Sequence, residues 1–577
     1  MKRWFKYVKP YLPYFILGPL CMIAEIAGEA LMPRFLATVI NEASLGIEVS
    51  VTNMILMILT ALMMMAGGVG GAYFGAKAAV NFATDLRRDT FAKIQKFSFS
   101  NIDKFRTGSL VTRLTNDVTQ LQNFVNMLLR MALRSPGLMI GGLIMAISMQ
   151  PDLSVVLAVT MPMLIITIIC LIIAAFPRFA AVQGKVDTLN STVQENITNI
   201  RVVKSFVREE LECDKFNRAN SDLKSTGMRA TKLMIFIMPL MNLFMYATII
   251  AVIWFGHDIV LAKDMLPGDL SAFITYVNQI LSSLMMVAML FMVTSRALAS
   301  GKRISEVLDE KVDITDAEAV DNTLTVKHGA ISFRGVSFRY YKDSEEKVLD
   351  NITLDIPAGK TVGIIGSTGC GKTTLVSMIP RLYDADEGEI LVDGINVRDY
   401  SLYNLREGVG MVLQKNVLFS GTVSENLRFG DKNATDEEVR RFAQYAAADK
   451  FVSAFKDGYE SEIEQGGVNV SGGQKQRLCI ARALLKRPKV LILDDSTSAV
   501  DTATERQIQK ALATELGDCT KIIIAQRINS VRGADMIVVM DDGRITATGK
   551  HDELLVSSET YREIYESQSR AAEREVG

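Results

Sequence analysis

Histidine and tryptophan are scarce in this sequence, which has three histidines and two tryptophans among its 577 residues. The histidines, His257, His328 and His551, lie far apart along the chain, so a histidine-based metal site is not expected. The cysteines show neither close pairing nor the spacing of metal ligands; they are Cys21, Cys170, Cys213, Cys370, Cys479 and Cys519. We therefore expect free thiols, in a reducing compartment or in lipid.

An excess of either charge is also absent, because the formal net charge is -1. No overall basic field favours nucleic acid, and no nucleic-acid partner is expected. The length suggests about two to four domains. Charged residues make up 22% of the chain, but the first three hundred residues contain long apolar runs, whereas the remainder has the composition of a soluble α/β protein.

Six stretches are long and apolar enough to cross a membrane, which takes roughly 20 residues in a helix. One of them, LSVVLAVTMPMLIITIICLIIAAF, carries no charge between Asp152 and Arg178, a length that a buried soluble core does not explain. We predict an integral membrane protein with six spans, near residues 14–40, 53–80, 129–150, 153–176, 233–262 and 270–299.

The distribution of lysine and arginine predicts the orientation of these spans. Both basic residues are frequent before the first span, between the second and third, and between the fourth and fifth, so these segments are expected in the cytoplasm together with both termini. The basic start runs directly into a full-length span, which argues against a cleavable signal. Since no organellar targeting segment is evident, a bacterial inner (plasma) membrane is favoured.

Glu25 and Glu29 lie within the first span, four residues apart and so on one helix face. Carboxylates inside a membrane are costly and usually face a cavity or a partner. One interpretation is a substrate cavity that suits a cationic amphiphile; the alternative is structural pairing, with Arg34 or with another span.

A composition change near 301–330 separates the apolar part from a second domain. We predict a transmembrane domain over 1–305, a linker over 306–328 and a nucleotide-binding domain over 329–577. The fold class is a multidomain membrane protein, with an all-α six-helix transmembrane domain followed by an α/β P-loop domain.

The stretch TVGIIGSTGCGKTTLV, Thr361 to Val376, is a β-branched strand, a glycine loop and an apolar helix start. This is the P-loop pattern in its required context, and it predicts ATP binding with Mg²⁺. Glycines let backbone N–H groups surround a phosphate, Lys372 reaches the terminal phosphates, and the Thr373 hydroxyl is a magnesium ligand. The predicted ATP-binding residues here are Gly366, Ser367, Thr368, Gly369, Cys370, Gly371, Lys372, Thr373 and Thr374.

A second predicted strand, in LILDDSTSAVD, is followed by two carboxylates that are expected to lie at the same metal–phosphate site. Asp494 is expected to hold magnesium, directly or through water. Asp495 follows it directly.

Between these segments lies VNVSGGQKQR, and its Ser471, Gly472, Gly473 and Gln474 resemble the signature of ATP-binding cassette (ABC) proteins. Nearly the whole chain resembles a half-transporter of the exporter type, similar to type IV, B-subfamily-like multidrug exporters. The resemblance implies that the signature contacts ATP on the opposite subunit of a dimer.

The resemblance also assigns roles to residues outside the P-loop. Tyr340 matches the aromatic residue that stacks on adenine. Gln414 matches the glutamine that joins the nucleotide to the transmembrane helices, and it is expected to ligate Mg²⁺ with Thr373 and Asp494. Ser498 and Asp501 match the loop that crosses the dimer interface. The segments Ile102–Asp117 and Asn196–Glu210 resemble the intracellular connections that seat on the nucleotide domains.

Two positions depart from the family's pattern. Asp495 stands where a catalytic glutamate is usual, and it is one methylene shorter. Gln526, in IIIAQRINSV, stands in place of a histidine; it can donate a hydrogen bond to a γ-phosphate but has no titratable proton. The segment before the signature, IEQGGVNVSGGQ, departs as well, although the signature itself is intact apart from Val470 in place of leucine.

These departures predict a degenerate ATP site whose signature completes a competent site on a partner. The expected partner is a homologous ABC half-transporter that carries the catalytic glutamate. The predicted activity is an ATPase coupled to export of hydrophobic or amphiphilic, drug-like or lipid-like compounds, in contact with membrane lipid. The alternatives are a half-transporter for peptides, without a peptidase domain before the spans, and a nucleotide-gated channel or regulatory subunit.

Overall fold

The computed structural model describes residues 2–342, 344–495 and 501–576. The chain divides into two compact units. The first comprises Met1–Gln95 and Gly108–Asp309, and the second comprises Lys96–Thr107 and Glu310–Gly577. A short segment of the first half, residues 96–107, therefore belongs to the same unit as the carboxyl-terminal half.

The first unit is helical, because its long runs of leucine, isoleucine, methionine and alanine are broken by few turn-forming residues. The helices of residues 2–309 are α1 Lys2–Val8, α2 Leu12–Ser44, α3 Val51–Ile94, α4 Phe99–Phe105, α5 Thr107–Thr112, α6 Val118–Met149, α7 Pro151–Thr198, α8 Ile200–Ser205, α9 Glu209–Leu261 and α10 Pro267–Asp309. Helix α10 continues past residue 305, so the predicted linker over 306–328 begins inside this helix.

Among the described residues, six helical segments are long and apolar enough to span a membrane. They are Arg3–Ser44, Val51–Ile94, Thr107–Met149, Pro151–Thr198, Glu209–Leu261 and Pro267–Val287. The predicted fold class, a six-helix transmembrane domain ahead of an α/β nucleotide-binding domain, is thereby confirmed.

Small residues allow close helix packing in the first unit. A Cβ added to Gly67 of α3 would lie 2.7 Å from the carbonyl oxygen of Cys21 in α2, so only glycine permits this approach. Close backbone contact through small residues is the usual way in which membrane helices associate.

The described residues of the second unit form two large sheets and one small two-stranded sheet. The six-stranded sheet has the order β12-β11-β3-β10-β9-β6, and the four-stranded antiparallel sheet has the order β2-β1-β4-β5. The strands are β1 Ile331–Phe338, β2 Leu349–Ile356, β3 Thr361–Gly366, β4 Glu387–Val392, β5 Ile395–Asn396, β6 Val409–Val412, β7 Gly421–Thr422, β8 Glu462–Ile463, β9 Val490–Asp494, β10 Thr520–Ile524, β11 Met536–Asp541 and β12 Arg544–Gly549.

Helices cover these sheets. They are α11 Lys372–Ser377, α12 Leu402–Gly408, α13 Val423–Arg428, α14 Asp436–Tyr445, α15 Asp449–Val452, α16 Gly472–Leu485, α17 Thr502–Glu515, α18 Ile528–Val531, α19 His551–Ser557 and α20 Glu559–Val576.

The register of the parallel strands shows which loops lie together at one edge of the six-stranded sheet. Strand β10 lies between β3 and β9, and Ile524 pairs with Ile364 on one side and with Asp494 on the other. In parallel α/β sheets, ligands bind beyond the carboxyl ends of the strands. The segments that follow β3, β9 and β10 therefore meet at one edge.

Candidate functional site

The phosphate loop follows β3 and leads into α11. Gly366 and Gly371 have φ values of 156° and 92°. A Cβ at Gly366 would lie 2.0 Å from the carbonyl oxygen of Met540, and one at Gly371 would lie 2.8 Å from that of Val348. The loop can keep this curvature only with glycine at both positions.

Lys372 lies across the inside of this loop. Its Nζ donates to the carbonyl oxygens of Gly366 and Ser367 at 2.9 Å and 2.6 Å. The ammonium group is thus held among backbone groups that can surround a phosphate, as the motif predicts.

Thr373, in the first turn of α11, faces Asp494, the last residue of β9. The Thr373 hydroxyl donates to the Asp494 carboxylate, with oxygen–oxygen distances of 2.9 Å and 3.1 Å. Burial raises the pKa of Asp494, and the adjacent charge of Asp495 raises it further, while Thr373 and Lys372 oppose the shift. A hydroxyl and a carboxylate are the oxygen donors that Mg²⁺ prefers, so the residues present fit this cation.

Asp495 has a left-handed backbone, with φ 47°, and its N–H donates to the Ile524 carbonyl at 3.0 Å. Its carboxylate accepts a hydrogen bond of 2.9 Å from the side-chain amide of Gln526. Burial raises the pKa of Asp495, against the opposing effects of Lys372, Arg527 and hydrogen bonds from Gln414 and Gln526. The two positions that depart from the family's pattern are therefore in direct contact, and the exposed Gln414 also bonds to Asp495.

Tyr340 lies beside the start of α11, and its hydroxyl is 2.9 Å from Oγ1 of Thr374. Its ring packs edge-on against Phe338 and Tyr383, at centroid distances of 5.0 Å and 5.3 Å. Tyr340 remains 43% exposed, so ring surface is available for a nucleotide base.

Sequence reasoning missed Tyr383, because no motif marks it. The Tyr383 hydroxyl donates to Asp103 of α4 at 3.2 Å, and its ring lies 5.9 Å from that of Phe99. Burial raises the pKa of Tyr383, and the charge of Asp103 raises it further. Within the second unit, Tyr383 thus connects helix α4 with the predicted adenine-binding tyrosine.

The signature residues begin helix α16. Ser471 is its N-cap: its Oγ accepts from the Gln474 N–H at 3.3 Å, and Gln474 Oε1 accepts from the Ser471 N–H at 2.9 Å. This capping box fixes the helix start, while the exposed Gly472 and the half-buried Gly473 leave the adjoining backbone accessible.

Asp501 caps the next helix, α17. Its carboxylate accepts from the N–H groups of Ala503 and Thr504, at 3.1 Å and 3.0 Å. The predicted interface residue Ser498 lies outside the described residues.

Glu25 and Glu29 share one arginine, which comes from another span. Nη2 of Arg134 in α6 lies 3.2 Å from Glu25 Oε1 and 2.5 Å from Glu29 Oε1. In the described part of the chain, Glu25 Oε2 and Arg134 Nε are buried without a hydrogen-bond partner. Of the two pairing partners considered from sequence, the structure has the other span rather than Arg34, and the cluster has one more acid than base.

Comparisons with known proteins identify both parts of the chain. Residues 15–284 match the family described as ABC transporter transmembrane region, and residues 349–498 match the family described as ABC transporter. The Bacillus subtilis protein named uncharacterized ABC transporter ATP-binding protein YfiB is 36% identical over 98% of both chains. An ATP-dependent lipid A-core flippase of Desulfotalea psychrophila is 34% identical over 84% of both chains.

A solved structure shows the same fold. A bacterial Atm1-family ABC exporter with ATP bound superposes with a TM-score of 0.76, at 23% identity, and covers 96% of this chain and 98% of its own. The chain therefore belongs to the ABC transporter family, whose ATP-binding domain is an ATPase coupled to transport, and it has the fold of an ABC exporter.

Proposed function

We propose that this chain is one half of a heterodimeric ABC exporter that moves hydrophobic or amphiphilic compounds across a bacterial inner membrane, and that its own ATP site hydrolyses slowly. The observation that carries the proposal is the contact between Asp495 and Gln526 at the end of β9. Thr373, Asp494 and Gln414 would hold the Mg²⁺ that accompanies ATP.

The geometry at Asp495 supports slow hydrolysis. A general base must come within hydrogen-bond distance of the water that it activates. The aspartate side chain is one methylene shorter than glutamate, and one of its oxygens accepts from Gln526 at 2.9 Å. Gln526 has no titratable proton, so the pair favours holding ATP over cleaving it.

The surface around α8 supports a homologous partner. In the second unit, α4 contacts Tyr383 of its own nucleotide-binding domain. At the end of α8 in the first unit, by contrast, Val202, Phe206 and Val207 are 55%, 71% and 79% exposed. Exposed apolar residues this close together mark an interaction site. A second subunit's nucleotide-binding domain would cover them.

The substrate class is supported by the membrane domain. The acid excess among Glu25, Glu29 and Arg134 favours a cationic or zwitterionic amphiphile over an anionic one. A relative that is named as a flippase for a lipid supports an amphiphilic substrate.

The test is the ATPase activity of the purified full-length chain, alone and then co-expressed with homologous half-transporters of its own organism. We expect little activity alone, strong activity with the right partner, and loss of that activity when the partner's catalytic glutamate is replaced. Brisk activity of the chain alone would mean that it works as a homodimer and that Asp495 and Gln526 are competent, which would overturn the proposal.

A further inference from the structure

The carboxyl-terminal helix α20 reaches the ATP site through one side chain. The Gln568 amide donates from Nε2 to the carbonyl oxygen of Gln526 at 2.7 Å, and its Oε1 accepts from the Ile528 N–H at 2.9 Å. One side chain therefore bonds to the backbone on both sides of Arg527.

These bonds fix the carboxyl-terminal part of the short segment that connects β10 with α18. Strand β10 ends at Ile524 and α18 begins at Ile528. The Ala525 N–H donates to the Ile364 carbonyl at 3.2 Å, which holds the segment on the β3 side. Gln568 supplies a donor for the Gln526 carbonyl and an acceptor for the Ile528 N–H, as a neighbouring strand would.

Gln568 lies on the face of α20 that packs on the domain. Tyr561 is buried, and its hydroxyl is 2.7 Å from Nδ1 of His551. Ile564 and Tyr565 pack against the same hydrophobic core, and Gln568 continues their i, i+3, i+4, i+7 pattern. A polar residue that continues an apolar face suggests a specific hydrogen-bonding role.

We propose that Gln568 is a positioning residue of the ATP site, which holds the backbone at Gln526 so that its side chain faces Asp495 and the terminal phosphate. Helix α20 thereby controls how strongly the site prefers ATP over ADP. The inference rests on the proposed role of Gln526, whose side chain donates to Asp495.

The test measures equilibrium dissociation constants for Mg-ATP and Mg-ADP with the full-length chain, and takes their ratio. Gln568→Ala is expected to lower the preference for ATP about three- to tenfold, the effect of losing hydrogen bonds of ordinary strength. Gln568→Glu retains helix propensity and the acceptor for Ile528, but it sets a carboxylate against the Gln526 carbonyl, so its loss should be at least as large. Ser567→Ala, on the exposed side of the same helix, should leave the ratio unchanged.

A double-mutant cycle separates positioning from a general structural role. If Gln568 acts through Gln526, Gln568→Ala has no further effect on the ratio in a Gln526→Ala background. Additive losses, or an unchanged ratio in both Gln568 variants, would overturn the inference. If Gln526→Ala alone leaves the ratio unchanged, Gln526 has no role in the preference for ATP, and the inference about Gln568 falls with it. A changed ratio in Gln526→Ala but not in the Gln568 variants would overturn the inference about Gln568 alone.

Discussion

The side-chain amide of Gln526 donates a 2.9 Å hydrogen bond to the carboxylate of Asp495. These residues are 31 positions apart in the chain, and they meet because β9 and β10 are parallel neighbours that end at the same edge. At both positions the sequence departs from the pattern expected from its resemblance to ABC proteins, so we expect the two departures to act together.

Lengthening the acid should restore hydrolysis. Asp495→Glu is expected to raise ATP turnover at this site, because the longer side chain can reach the attacking water. The gain is limited while Gln526 remains, so Gln526→His is added in a second variant. Phosphate release by the purified chain measures both, with Lys372→Ala as the inactive control. Unchanged turnover in the double variant would contradict the explanation that the Asp495 side chain is too short to reach the attacking water.

Tyr340 provides a test of base stacking. Tyr340→Ala should weaken ATP binding by roughly tenfold or more, since stacking of a base on an aromatic ring is worth about 1–3 kcal/mol. Tyr340→Phe keeps the ring and loses only the hydroxyl contact with Thr374, so binding should stay near the original value. Equilibrium titration with a fluorescent ATP analogue measures both. Equal losses in the two variants would assign the effect to the hydroxyl instead.

The hydroxyl of Thr373 should determine the magnesium dependence of binding. Thr373→Val removes the oxygen that bonds to Asp494 at 2.9 Å and keeps the shape of the side chain. We expect ATP affinity to become nearly independent of Mg²⁺, measured with and without EDTA. Thr374→Val, at the next residue, removes a hydroxyl that contacts Tyr340 and should preserve the dependence. A normal response to Mg²⁺ in Thr373→Val would remove this residue from the cation site.

Arg134 should be essential for the stability of the membrane domain. Arg134→Ala leaves Glu25 and Glu29 without their shared partner, and breaking a buried ion pair in this way costs about 3–5 kcal/mol. Thermal unfolding in detergent should show a large decrease in Tm. Arg130→Ala, on an exposed part of the same helix, is the matched control.

Replacing all three charged residues of the cluster should recover most of the stability that Arg134→Ala loses. Glu25→Gln and Glu29→Gln added to Arg134→Met leave no unpaired charge, so stability is expected to recover toward the original value. If the triple variant transports neutral amphiphiles but no longer cationic ones, the acid excess selects the substrate. If Arg134→Ala unfolds at the original temperature, the ion pairs contribute nothing to stability.

Much of this protein could be predicted from local patterns in the chain. The long apolar runs indicate membrane-spanning helices, because they are longer than the apolar segments that are typical of helices in soluble proteins. The P-loop around Lys372 and the strand that ends in Asp494 could be located because their chemistry depends on residues adjacent in sequence. Ser471 likewise begins a helix through a partner three residues away, at Gln474.

Contacts between distant segments depended on the packing of the folded chain. Sequence reasoning left open whether Glu25 pairs with Arg34 or with another span, and helix packing selects Arg134, which is 105 residues from Glu29. Tyr383 and Gln568 carry no motif, and their partners Asp103 and Gln526 come from remote segments. A single side-chain hydrogen bond leaves no periodic pattern in a sequence, so only the assembled sheet and its covering helices reveal these positioning contacts.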